Sequence, residues 1–203
     1  MMELISKKSK IPWTIFSVII LAAAVLSGVL LCQYVVNTGG EVNNLQRAYI
    51  LNIFFLTIFG LLISIGSLSW KKPARLRLLL AWGCAVGALY SVFGVIYDVV
   101  GAQTIGLLTN DGGLPIVIYL LADIIYVILN LLLMLYFLNK LKQRPAKASA
   151  LVLLVFNISY FSAIAFYYLN GGDRGLIYPL SNGMVLLASI AVLFVVSKVR
   201  HTE

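Results

Sequence analysis

LPIVIYLLADIIYVILNLLLMLYFL, residues Leu114 to Leu138, decides how the chain is read. An apolar run of about 20 residues is the length a helix needs to cross a bilayer, so this stretch predicts a transmembrane helix. Near its middle stands an acid, Asp123, that no choice of boundary moves out of the hydrocarbon. A helix turns once in 3.6 residues, which brings Tyr119, Asp123, Tyr126 and Asn130 into an arc of about 60°. They form one polar stripe on an otherwise apolar helix. An ionisable group at that depth costs several kcal/mol unless it faces a partner or a wet cavity. Asp123 therefore marks either a functional site or an interior point of helix adhesion, and the sequence leaves both open.

Outward from this stretch the pattern repeats. Further spans are expected near 11–36, 48–70, 76–100, 149–169 and 179–199, giving an all-α polytopic membrane protein with six transmembrane helices in one bundle, a single domain over 1–203. Composition agrees: 62% of the residues are hydrophobic and 11% charged, against roughly 25% charged in soluble domains. The net charge of +8 does not point to nucleic acid, because the basic residues sit in short clusters between apolar runs. Of the 15 Lys and Arg, all but Arg47 and Arg174 fall at the N-terminus, in the loops at 71–77 and 139–148, or in the C-terminal tail. The positive-inside rule then places both termini in the cytoplasm, in a cell membrane. Trp13, Trp70 and Trp82 fall near the cytoplasmic ends of spans, and Tyr34, Tyr49, Tyr97, Tyr167, Tyr168 and Tyr178 near the outer ends, as aromatic belts do.

Two features at the first span argue against processing. The run Ile11 to Val36 is too long for a signal-peptide core. The sequence VLLC ending at Cys32 has Leu31 where a lipoprotein cleavage box needs a small residue, so neither cleavage nor lipidation is expected. Pro12, Pro73, Pro115, Pro145 and Pro179 all stand near the start of a span, where a missing N–H does no harm. Mid-membrane Gly/Pro breaks, which mark ion sites in many transporters, do not occur.

Candidate contact faces follow from small residues. The third span carries Gly83, Gly87, Ser91, Gly94, Asp98 and Gly101 at steps of three and four, a seam into which another helix fits closely. It is expected either to pack within the bundle or to receive a protein partner or second copy through Gly83, Gly87, Ser91 and Gly94. The fifth span puts Asn157, Phe161, Ile164 and Tyr168 on one stripe. The polar groups inside the membrane thus gather in the middle and outer layers around Asp123. A small-molecule ligand in an outward-facing polar cavity would be bound by Asp123, Tyr119, Tyr126, Asn130, Asp98 and Asn157.

Catalysis finds little support. The single histidine, His201, lies in the tail, so no Ser-His, Cys-His or His-metal constellation can form in the membrane. There is no G-x-S-x-G, H-E-x-x-H or P-loop motif. Cys32 and Cys84 lack metal or redox spacing. No catalytic residues, metal or cofactor are expected. The favoured reading is a bacterial cell-membrane protein that binds or transports a small solute. The alternative is a sensor, immunity or assembly protein acting through helix contacts.

The first span carries Ala24-x-x-x-Gly28 and Ala23-x-x-x-Ser27 in a small, basic, six-span chain. In this layout it resembles the substrate-binding S components of energy-coupling-factor vitamin transporters. The resemblance implies an energising partner, since the chain has no nucleotide-binding motif.

Overall fold

The computed structural model describes residues 10–38, 42–104, 113–171 and 175–198, with the side chains at 10, 45, 97, 98, 100–104 and 113–119 outside that description. Six helices make up the fold: α1 (Lys10–Asn37), α2 (Asn44–Leu68), α3 (Pro73–Thr104), α4 (Gly113–Phe137), α5 (Gln143–Leu169) and α6 (Ile177–Lys198). Each is long and apolar enough to cross a membrane. All five prolines fall within the first three positions of a helix, where backbone N–H groups have no partner in the preceding turn anyway.

The ends are built by local chemistry. Asn43 and Gln46 form a capping box at the start of α2: Gln46 N–H donates to Asn43 Oδ1 at 2.8 Å, and Asn43 N–H to Gln46 Oε1 at 3.0 Å. Four residues, 69–72, suffice to turn from α2 into α3. α4 closes on Asn139, whose φ of 61° is left-handed. Its N–H donates to the Tyr136 carbonyl, and that of Lys140 to the Leu135 carbonyl, the two bonds of a Schellman ending. Arg77 donates to the Asn139 side chain at 2.8 Å, tying the start of α3 to this turn.

Each helix packs on its neighbours in sequence, and α6 returns to α1 and α2. α2 is thereby held between α1, α3 and α6. One apolar cluster runs through the bundle, with Ile20, Leu56, Ile63, Leu80, Leu133, Met184, Val192 and Val196 all buried. At the end carrying the turns 69–72 and 138–142, called here the basic end for its Lys71, Lys72, Lys140 and Lys142, Trp13 joins three helices. Its indole N–H donates to the Ser67 carbonyl at 3.0 Å and its ring stacks on Phe194 at 4.6 Å. Ile15, Val18 and Ile19 on α1, Ile124, Ile128 and Leu131 on α4, and Leu151, Val155 and Ile158 on α5 are exposed. An apolar outer surface on this scale suits lipid, which is as apolar as the side chains themselves. In such surroundings burial does not drive association. Close packing and interhelical hydrogen bonds hold the helices instead.

Candidate functional site

α4 has two unlike faces. Leu121, Ile124, Ile125, Ile128, Leu131 and Leu135 are exposed, while Asn130 is fully buried and Asp123 is partly buried. The polar stripe is turned towards α3, which meets it with glycines. A methyl group on Gly94 would stand 3.0 Å from Asp123 Oδ2, and one on Gly87 would stand 2.7 Å from Asn130 Oδ1. Gly87 and Gly94 are seven residues apart, as are Asn130 and Asp123 in the opposite direction, so an antiparallel pair in constant register brings both couples together. Between them Tyr90 and Tyr126 meet edge to face, ring centres 6.2 Å apart. The next step of four in both helices reaches Asp98 and Tyr119. The side chains of these two lie outside the described residues.

Over its described part the seam on α3 is therefore met from within the chain. Gly83 faces Ile63 of α2, Gly87 faces Asn130 and Phe59, Gly94 faces Asp123, and Ser91 is fully buried. Of the two expectations for this seam, packing within the bundle or contact with a protein partner, the neighbours of Gly83, Gly87 and Gly94 are those of packing within the bundle: α2 and the polar side chains of α4.

From the stripe a hydrogen-bonded chain crosses two more helices. Tyr126 O–H donates to Asn157 Oδ1 at 2.9 Å. Asn157 Nδ2 donates to Ser189 Oγ at 2.7 Å and to the Leu153 carbonyl at 2.9 Å. Ser189 in turn donates to the Val185 carbonyl at 2.9 Å. Hydroxyls and amides alone make up this chain, which fixes the orientation of Tyr126 but contains no base beside a nucleophile. Asn130 Nδ2 donates to the Tyr126 carbonyl at 3.0 Å. Its Oδ1 is buried without a hydrogen-bond partner.

Of the residues expected at a site, Asp123, Tyr126 and Asn130 share the α3–α4 seam, and Asn157 joins them through the tyrosine hydroxyl. Ser189, Tyr90 and the glycines opposite the stripe were not legible as its neighbours, because nothing local says which helices face each other. A second polar group links α1, α2 and α6. Thr57 O–H donates to the Ile53 carbonyl at 2.8 Å and Ser181 O–H to the Ile177 carbonyl, and the Ser27 hydroxyl stands 3.4 Å from each of their oxygens, able to donate to either. This group is a helix contact with its hydroxyls satisfied. Among the described residues no three His, Cys, Asp or Glu gather as a metal site would require.

An open groove lies elsewhere. A groove of about 850 Å³ runs between α1 and α2, and none of the stripe residues lines it. Comparison with protein family models, characterised proteins and solved structures returned no match. The likeness to vitamin-transporter S components accordingly rests on span number, charge and the small residues of α1.

Proposed function

We propose that this chain binds or carries a small polar solute within a cell membrane, with Asp123 as its anchor and Tyr126, Asn130 and Asn157 beside it. Asp98 and Tyr119 extend the site away from the basic end. The observation that carries this reading is the cut of α3: glycines stand opposite Asp123 and Asn130, making room for polar groups where apolar side chains could have packed. Leaving the buried Asn130 oxygen unpaired costs about 1–3 kcal/mol, and a purely structural seam would gain nothing from it. In the proposed orientation the basic end faces the cytoplasm, by the charge asymmetry of the loops, and the solute enters from the opposite side.

A hydrophobic carbodiimide, which reacts with carboxylic acids in apolar surroundings, tests the site even while the solute is unidentified. Labelling of Asp123 in lipid nanodiscs is followed by mass spectrometry against a panel of amino acids, sugars, vitamins and small amines. A solute of the site slows labelling of Asp123 in a saturable way. If every panel member left the labelling rate unchanged, the proposed site would be withdrawn.

A further inference from the structure

At the groove between α1 and α2 the helices leave a space that the glycine-bearing seams described above do not. Elsewhere a glycine on a helix interface is met closely: Gly60 by Met184, Gly83 by Ile63, Gly87 by Asn130. Gly28, on the groove, has only Thr57 Cγ2 at 3.4 Å from where its Cβ would stand, an ordinary contact. The hollow beside it is walled by Val25, Val29, Phe54, Ile58 and Leu61 and floored by Ala24 and Leu31. Val25, Val29 and Phe54 are exposed, so the groove opens sideways, onto the face the bilayer covers.

Its polarity has a direction. Thr57 lines the depth of the groove with a methyl group beside Gly28 and its hydroxyl bonded to the Ile53 carbonyl, Cys32, Gln33 and Asn37 line it towards the end of α1, and no charged side chain lines it among the described residues. From Ala24 to Asn37 a helix rises about 20 Å. One leaflet contributes about half of a 30 Å hydrocarbon core, so this length reaches from mid-membrane to the level of the headgroups. An apolar trough one leaflet long with amides at its outer end has the polarity of an amphiphile standing along the membrane normal.

We propose that the α1–α2 groove binds one membrane lipid without net charge, its acyl chain lying beside Gly28 between Val29 and Phe54 and its headgroup within reach of Gln33 and Asn37. With no basic side chain among its described lining, the groove offers nothing to hold an anionic headgroup, and such lipids would gather instead at the basic end of the bundle. The site is independent of the one around Asp123: it lies on different helices and needs no solute.

A photoactivatable phosphatidylcholine with a diazirine in its acyl chain tests this on the full chain in phosphatidylcholine nanodiscs, with crosslinks mapped by peptide mass spectrometry. The expected result is labelling concentrated at residues 24–37 and 54–61. Gly28→Phe, which fills the groove, lowers it about tenfold, as loss of about 1.4 kcal/mol of contact would. Leu26→Phe, on an exposed position of α1 outside the groove, leaves it unchanged. Should Gly28→Phe fail to fold, Val29→Trp fills the groove from its exposed wall. Labelling spread evenly over all exposed faces and indifferent to these variants would overturn the proposal, as would stronger labelling by a phosphatidylglycerol probe of the same chain.

Discussion

Asn130 is the residue whose chemistry departs furthest from what packing alone would select. Its amide N–H bonds to its own helix, its oxygen is buried against Gly87 without a hydrogen-bond partner, and an apolar side chain of the same outline would fit. Asn130→Leu should therefore melt at or above the wild-type temperature, since replacing an unsatisfied buried polar group removes a cost of about 1–3 kcal/mol. If it instead melted far lower, the amide would be structural glue. The stripe containing Asn130 was legible in sequence because the 3.6-residue period is a local property of one helix. Ser189 was not, for its place at the end of the chain from Tyr126 through Asn157 depends on how α5 and α6 dock.

At the scale of elements, the α3–α4 seam rests on two glycines in register with two polar side chains. Gly87→Leu should cost about 1–3 kcal/mol or more, the usual penalty for methylenes forced into a filled site. A sharper test of the register is Gly87→Ala combined with Asn130→Ala. The added methyl and the shortened side chain should compensate each other, with a coupling energy of about 0.5–3 kcal/mol in a double-mutant cycle of unfolding. Strict additivity would place Gly87 against something else. Removing the α2 cap with Asn43→Ala should cost about 1 kcal/mol, read as a lower unfolding midpoint. Six apolar runs were readable from sequence because a bilayer imposes their length, while the helix limits differ from them by up to four residues at α2 and α3 and by six at the start of α5. That helix begins at Gln143, well before the apolar run expected from 149. Pro145 fits its first turn, Ala146 packs into the core, and Lys147 stays exposed, so the helix outruns the membrane-like composition. The α1–α2 groove left no trace in the sequence, since its lining differs from lipid-facing surface only in what fails to pack against it.

The whole molecule is a six-helix bundle whose exposed surface is apolar along the helices and basic at one end, and whose polar interior groups stand well inside it. Reporter fusions after Lys71 and Arg144 should both report the cytoplasm, following the charge asymmetry of the loops. An outer location for either would reverse the proposed direction of access to Asp123. A solute-binding role for the molecule depends most on Asp123. Its most direct test measures melting and solute binding on the same nanodisc preparations of wild type, Asp123→Asn and Asp123→Leu. Asp123→Asn is expected to keep the wild-type stability within about 1 kcal/mol while binding weakens, and Asp123→Leu to fold but bind no solute. An Asp123→Leu protein that melts higher than wild type and binds as well would contradict the assignment of Asp123 as the anchor.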